Sequence, residues 1–291
     1  MIAAVVREPA AGLGRGVVVL GMHRSGTSAV TAVIDALGVP ACIAPDRMAH
    51  DLYESRTLTR FDERLLNLLG GSWIALPESP PGWATSPSVL ALRGEAAELF
   101  RAVHPFRQWV WKDPRACVLM PFWEQLIGRD VPRIIVLRNP VECAESLWVR
   151  NQIPHEISLA MFERSVRSAL RDSAGCPVFL AAYDDVLADP GAWCAEVASF
   201  LDSRGLVLPK PLPLAAAAAR VKLDLRHHAA VPGTMSPGGP GEHLRPLWTW
   251  ALGRSGAHTA LSTDNLPPES PATGRAMAAA AQNRIPADGW P

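Results

Sequence analysis

The chain has 291 residues, of which 48% are hydrophobic and 19% are charged, a length that suits one α/β domain with additions or two small domains. Its 28 basic and 28 acidic side chains give zero net charge, which excludes a global basic field, so any anion site is local and we expect no nucleic-acid partner. No apolar run approaches the ~18 residues of a membrane helix, so no membrane span is predicted.

The first predicted unit is a strand, a tight loop and a helix. We expect residues 1–14 to be a flexible N-terminus, because their apolar stretch is broken by charges and proline, unlike that of a signal peptide. A β-branched run at 17–20 predicts a buried parallel strand. Residues 21–26 form the loop, and helical spacing over 25–37 ends at Gly38, a typical helix stop.

Later segments repeat this alternation. The sequence predicts helices over 53–69, 89–103, 114–127, 140–150, 155–172 and 189–201, strands over 108–111, 133–137 and 177–182, and a loop over 72–87. Alternating strands and helices predict a P-loop-type, three-layer α/β/α fold with a central parallel sheet. We assign 15–230 to this domain and expect 231–291, rich in Pro, Gly and Ala, to be a largely disordered extension.

The loop at residues 21–28 reads Gly-Met-His-Arg-Ser-Gly-Thr-Ser. Backbone N–H groups of such a loop converge on an anion, and the helix N-terminus adds positive potential. The Walker pattern fails at one place, because Thr27 stands where the lysine belongs. Arg24 lies three positions earlier, and the hydroxyls of Ser25, Thr27 and Ser28 supply further donors. The loop predicts a phosphate site; a plain strand-to-helix turn is the alternative.

A second candidate motif begins where the strand 133–137 ends. Ligands of open α/β sheets bind beyond the carboxyl ends of strands, which is where Arg138 lies. Ser146 follows about two turns into the next helix, and Arg150 lies one turn further on the same face. Arg138 and Ser146 would hold one dianionic phosphate through charge-assisted hydrogen bonds. The alternative is a solvated arginine and an incidental serine.

Together the two motifs resemble the nucleotide-binding elements of sulfotransferases that use 3′-phosphoadenosine-5′-phosphosulfate (PAPS). The string R-S-G-T-S at 24–28 is similar to the loop of tyrosylprotein sulfotransferases and of many bacterial sulfotransferase-like proteins. Lys112-Asp113-Pro114 and Tyr183 also resemble segments of the tyrosylprotein branch. The resemblance covers roughly residues 15–205, and four motifs in the right order are more specific than one.

The resemblance implies that PAPS is the donor co-substrate and that no metal is needed. The first loop would hold the 5′-phosphosulfate, and the Arg138…Ser146 pair would hold the 3′-phosphate. The residues implied to bind the donor are His23, Arg24, Ser25, Gly26, Thr27, Ser28, Arg138, Ser146, Arg150 and Tyr183. The family's later nucleotide-binding loop has no clear match; Lys222 and Arg226 are its only candidates, and we interpret them as a solvated basic face.

Sulfuryl transfer builds negative charge on the bridging oxygen, where fixed cations stabilise the transition state. We assign Arg24 and Lys112 to that role. The acceptor hydroxyl also needs a base. Glu54 resembles the glutamate base of the tyrosylprotein branch, His23 is the second candidate and His50 the third.

Several alternatives stay open. The chain is either a sulfotransferase, a P-loop kinase or phosphotransferase using ATP, or a non-catalytic nucleotide-binding module. The acceptor is a small molecule, sugar, lipid or peptide, and the oligomeric state is open. The five cysteines are odd in number, scattered and without a C-x-x-C pair, which predicts reduced thiols and a cytoplasmic location.

Overall fold

Five strands form one sheet in the computed structural model, which describes residues 12–49, 52–222, 235 and 238–282. The strands are β1 (Arg15–Leu20), β2 (Gln108–Lys112), β3 (Arg133–Leu137), β4 (Val178–Ala182) and β5 (Gly256–His258). The helices are α1 (Thr27–Ala36), α2 (Arg56–Leu68), α3 (Pro87–Leu90), α4 (Arg93–Val103), α5 (Ala116–Ile127), α6 (Pro140–Asn151), α7 (His155–Asp172), α8 (Tyr183–Ala188), α9 (Pro190–Ser203), α10 (Leu214–Ala218), α11 (Arg245–Leu252) and α12 (Pro271–Gln282).

The sheet has the order β2-β1-β3-β4-β5, and its first four strands are parallel. Val18 of β1 pairs with Trp111 on one side and Arg133 on the other. The chain passes from β1 to β2 on one side and then returns from β2 to β3 on the other side of β1. The strand order therefore reverses between β1 and β3, which opens a crevice at the carboxyl edge of the sheet. The short β5 pairs antiparallel with β4 and adds one antiparallel edge strand to the predicted central parallel sheet.

Two hydrophobic cores cover the two faces of the sheet. Alternate side chains of β1 point to opposite faces. Val17 and Val19 join the core under α1 and α9, whereas Val18 and Leu20 join the core under α5 and α7. Burial on both faces explains why β1 is a continuous apolar run rather than an alternating one. The predicted three-layer α/β/α architecture is confirmed.

The C-terminal residues correct the expectation of a largely disordered extension. Residues 238–282 contain α11, β5 and α12, and α12 packs along α7. The buried carboxylate of Glu163 on α7 accepts hydrogen bonds from the Ser270 backbone N–H, at 2.9 Å, and from the Thr273 hydroxyl. Ala276 and Met277 of α12 are buried in the hydrophobic core on the side of α7. The predicted boundary at 230 lies outside the described residues.

The same region fastens the loop that follows α2. Arg164 of α7 donates to the Leu76 carbonyl at 2.7 Å and to the Glu269 carboxylate at 2.5 Å.

At the other end of the chain, residues 1–11 lie outside the described part. Leu13 is buried, and its carbonyl accepts from Trp109 Nε1 at 2.6 Å. The expected flexible N-terminus therefore does not include Leu13.

The two remaining observations concern the cysteines and the lengths and polarity of the helices. All five cysteines are buried free thiols. Across the described ranges, the helices are too short or too polar to cross a bilayer.

Candidate functional site

A cavity of about 370 Å³ opens at the carboxyl edge of the sheet. Its lining comes from the ends of β1 to β4 and from the segments that follow them. The lining residues are His23, Arg24, Gly26, Thr27, Ser28, Ala29, Ala32, Leu52, Tyr53, Glu54, Lys112, Pro114, Arg138, Arg150, Tyr183, Ala219, Arg220 and Lys222. Of the site residues predicted from the sequence, Ser25 and Ser146 are outside this lining; Ser25 lies between the lining residues Arg24 and Gly26 in the chain, and Ser146 accepts a hydrogen bond from Arg24.

The turn between β1 and α1 has the tight backbone that its glycines predict. Gly26 has a φ of 96°, and a Cβ on it would lie 2.3 Å from the Tyr183 ring. Glycine is therefore needed both for the conformation and for contact with Tyr183. Helix α1 then begins at Thr27 without a side-chain cap and without an acidic residue in its first turn. Its N-terminus presents N–H groups and positive potential to the cavity.

The two predicted anion motifs contact each other. Arg24 Nε donates to the Ser146 hydroxyl at 2.8 Å, and Arg138 Nη1 donates to the Arg24 carbonyl at 3.1 Å. The Arg138 guanidinium also pairs with the buried Glu142 carboxylate at 2.9 Å and lies 5.3 Å from the Tyr183 ring centroid. Because β1 and β3 are neighbours, both motifs face the same cavity from the same edge of the sheet.

The serine hydroxyls of the turn have different surroundings. Ser25 Oγ is buried and has no hydrogen-bond partner within the described ranges. Ser28 Oγ donates to the Leu52 carbonyl at 3.1 Å and accepts from Lys112 Nζ at 3.2 Å. The proton of Ser28 is therefore engaged in the fold, which the sequence did not predict.

Lys112 and Glu54 form a buried ion pair inside the cavity. Lys112 Nζ lies 2.5 Å from Glu54 Oε1, and both side chains are nearly inaccessible to water. Glu54 comes from the segment before α2, where Ser55 caps the helix by accepting from the Leu58 N–H. The sequence predicted both residues at the site but did not predict their contact. Breaking such a pair leaves an uncompensated buried charge.

Sequence reasoning missed other residues of the site. Arg115 lies behind the lining and bonds the carboxylates of Asp113 and Glu63. It follows the Lys-Asp-Pro segment directly, and only its complete burial marks it. Arg220 and Lys222 line the cavity. From the sequence we interpret Lys222 as part of a solvated basic face; it is exposed, and it also forms part of the cavity wall. The candidates His50 and Arg226 lie outside the described residues.

The electrostatics of the lining favour an anion. The cations that line the cavity are Arg24, Lys112, Arg138, Arg150, Arg220 and Lys222. Among the described lining residues, Glu54 is the sole carboxylate. In a partly desolvated crevice such a surplus attracts anions more strongly than it does in water.

His23 is held neutral by this positive field. Burial and the charges of Arg115, Lys112, Arg24 and Arg150 lower the pKa of His23 well below its usual value of 6.5. Its ring lies edge-to-face with Trp73, 5.0 Å between centroids. We therefore describe His23 as an uncharged wall of the cavity at pH 7.

Within the described part of the chain, no cluster of three or more His, Cys, Asp or Glu side chains is arranged to hold a metal ion. The cavity residues present arginine, lysine and backbone N–H groups, the donors that bind phosphate and sulfate.

Comparisons with known proteins give remote likenesses. No family model and no curated protein matches the chain. The structure is similar to the sulfotransferase STF9 from Mycobacterium avium, with 15% identity, a TM-score of 0.47 and coverage of 89% of this chain and 79% of that one. It is also similar to the sulfotransferase domain of the Synechococcus PCC 7002 olefin synthase, with 15% identity, a TM-score of 0.43 and coverage of 92% and 95%. For the sulfotransferase domain from the curacin biosynthetic pathway, the identity is 16% and the TM-score is 0.43. The match covers 95% of this chain and 98% of that one. None of these names mentions tyrosylprotein, and likenesses this remote assign no function to the chain.

Proposed function

We propose that the chain transfers a sulfuryl group from PAPS to an acceptor hydroxyl. One observation carries the proposal: Arg24 of the first motif contacts both Ser146 and Arg138 of the second. A nucleotide that is phosphorylated at its 3′ and 5′ ends carries two anionic groups on one small molecule. Two adjoining anion motifs in one cationic cavity suit such a ligand.

In this proposal the two motifs divide the nucleotide between them. The turn at 21–28 and the N-terminus of α1 bind the 5′-phosphosulfate through backbone N–H groups. Arg138 and Ser146 bind the 3′-phosphate, with Arg150 one helical turn beyond on the cavity wall. Tyr183, held against Gly26, offers its ring to the nucleotide. Arg220 and Lys222 add charge from the segment after α10.

The chain's side chains then stabilise an in-line displacement. The acceptor oxygen forms a bond to sulfur as the bond between sulfur and the 5′-phosphate oxygen breaks. Arg24 and Lys112 stabilise the charge that grows on that leaving oxygen. Glu54 takes the proton of the acceptor hydroxyl at Oε2, the oxygen that Lys112 does not engage. His23, whose pKa is lowered, is the weaker base.

Binding calorimetry tests the donor. We expect 3′-phosphoadenosine-5′-phosphate to bind at least about tenfold tighter than adenosine 5′-phosphate, which corresponds to about 1.4 kcal/mol or more from the 3′-phosphate contacts. ATP with Mg²⁺ should bind more weakly. Tighter binding of ATP with Mg²⁺ would contradict the proposal and favour a phosphotransferase, although Thr27 replaces the lysine that contacts the β- and γ-phosphates.

Transfer of labelled sulfate tests the reaction. We expect label to move from PAPS to at least one hydroxyl acceptor from panels of sugars, lipids, phenols and peptides. Tight nucleotide binding without transfer to any of them would favour a non-catalytic module instead.

We propose a cytoplasmic location because free buried thiols are typical of a reducing compartment.

A further inference from the structure

Arg115 is a buried cation just behind the cavity, with 2% of its surface exposed. Its Nε donates to Glu63 Oε1 at 2.6 Å, and its Nη1 donates to Asp113 Oδ1 at 3.1 Å. Asp113 in turn accepts from the Thr59 hydroxyl at 3.1 Å. Thr59 and Glu63 both belong to α2. Arg115 and Asp113 therefore fasten α2 to the end of β2.

Glu54 lies two residues before α2 begins, and its two oxygens have different partners. Oε1 is paired with Lys112 at 2.5 Å. Oε2 lies 3.9 Å from Arg115 Nη1, too far for a hydrogen bond, and has no hydrogen-bond partner in the described chain. Arg115 thus attracts Oε2 without using the lone pairs that a proton would need.

The charges that surround Glu54 come close to balance. Lys112 and Arg115 face Glu54 directly, and the titratable groups that interact with these two cations are Asp113, Glu63, Asp62 and His23. Burial and the neighbouring Asp113 raise the pKa of Asp62 well above its usual value, which favours its neutral form. Removal of Arg115 would leave buried carboxylates without compensation.

We propose that Arg115 is a positioning residue for Glu54. It fixes the carboxylate with Oε1 on Lys112 and with Oε2 free of hydrogen bonds from the described chain, and it fixes the N-terminal part of α2, which Glu54 precedes. The inference rests on the proposed function, because positioning matters when Oε2 accepts the acceptor's proton. A displacement of about 1 Å in a reacting group costs on the order of 100-fold in rate.

The test compares Arg115→Ala and Arg115→Lys with a matched control, Arg64→Ala. Arg64 lies on α2 and forms an exposed ion pair with Glu95 at 2.5 Å, away from the cavity. Each variant is measured for kcat with labelled PAPS, for its affinity for 3′-phosphoadenosine-5′-phosphate and for its melting temperature. We expect Arg115→Ala to lower kcat about 100-fold with nucleotide affinity within about threefold. Arg64→Ala should stay within about twofold of the wild type in both, since exposed pairs contribute little.

Added guanidinium separates positioning from general damage. A guanidinium ion fits the space that Arg115→Ala leaves, so we expect it to restore kcat at least about tenfold, with no such effect on Arg64→Ala. If the alanine variant does not fold, Arg115→Lys decides: a kcat about tenfold below the wild type at unchanged nucleotide affinity supports the role, because an ammonium lacks the fork that bonds both Glu63 and Asp113.

Three results would overturn the inference: a kcat of either Arg115 variant equal to that of Arg64→Ala, a loss that guanidinium does not reverse, or nucleotide affinity that falls as far as kcat. These outcomes differ from a failure of the proposed function. A wild-type chain that binds the nucleotide but transfers no sulfate contradicts both. Wild-type transfer with an indifferent Arg115 contradicts the positioning role alone.

Discussion

The two ends of the cavity differ in how their charges are compensated. At one end, which we call the phosphate end, Arg24, Arg138 and Ser146 meet between β1 and β3. At the other, the carboxylate end, Lys112 and Arg115 are matched by Glu54, Asp113 and Glu63 beside β2. At the first end Arg24 bonds a neutral hydroxyl and Arg138 bonds one carboxylate, Glu142, whereas at the second end three carboxylates compensate two cations in a fixed network. The difference suggests that one end binds and the other carries the chemistry.

The largest expected effect tests whether chemistry belongs to the carboxylate end. Glu54→Gln keeps the size of the side chain and removes its basicity, so we expect kcat to fall between about 100-fold and 10,000-fold with nucleotide affinity retained. Single-turnover transfer of labelled sulfate and calorimetry measure the two quantities. The comparison variant is His23→Gln, with an expected loss below about tenfold.

The pH dependence of the rate is a second way to compare the Glu54→Gln and His23→Gln variants. The pKa of His23 lies well below 6.5, so its charge does not change as the pH rises from 6.5 to 8. His23→Gln should therefore leave the shape of the pH–rate profile over this range unaltered. A greater loss for His23→Gln than for Glu54→Gln, or a changed profile, would transfer the role of base to His23.

Lys112→Ala tests the leaving-oxygen side of the carboxylate end. Loss of one fixed donor to a developing charge costs about 100-fold to 1000-fold in kcat, and nucleotide affinity should change by less than about threefold. The variant also leaves Glu54 unpaired, at a cost of about 3–5 kcal/mol in the free energy of unfolding. The double variant Lys112→Ala, Glu54→Gln should recover much of the melting temperature without recovering turnover. Turnover equal to the wild type would remove Lys112 from the mechanism.

Arg138→Ala tests the phosphate end. A hydrogen bond to a charged group contributes about 1.5–3 kcal/mol, so the preference for 3′-phosphoadenosine-5′-phosphate over adenosine 5′-phosphate should fall roughly 10-fold to 150-fold. Combining it with Glu142→Gln neutralises the carboxylate that loses its partner. Both affinities are measured by calorimetry. An undiminished preference would show that the 3′-phosphate binds elsewhere.

Ser146→Ala should give the smallest effect. The hydroxyl accepts from Arg24 at 2.8 Å, and because serine itself carries no charge we expect its removal to cost about 0.5–1.5 kcal/mol, or roughly 2-fold to 12-fold in nucleotide affinity. Ser203→Ala, at the end of α9 and away from the cavity, is the control. An effect larger than that of Arg138→Ala would mean that Ser146, rather than Arg138, is the main contact of the 3′-phosphate.

Local signals account for what the sequence predicted well. Periodicity and glycine positions located β1, β3, α6 and α7 within a few residues, because each is determined by neighbours in the chain. The gathering of site residues at one edge followed from strands that are parallel and adjacent. The fold class was therefore predictable, and the binding roles of the individual residues stay predictions.

Long-range contacts account for what the sequence missed. Glu54 and Lys112 are 58 residues apart, so their pairing depends on how α2 docks against β2. The local sequence gives no sign that Arg115 is buried, because its burial depends on tertiary packing. The strand β5 is only three residues long, and α12 carries alanine at both buried and exposed positions, so hydrophobic periodicity marks neither element.

The backbone of Arg24 carries a consequence for evolution of the site. Its φ of 69° lies in the left-handed region, which costs a residue with a side chain on the order of 1 kcal/mol and costs glycine almost nothing. A glycine there would relax the turn but remove the guanidinium that reaches Ser146. Selection for thermostability alone would therefore erode the cavity's charge at this position, so its arginine is maintained only where ligand recognition is under selection.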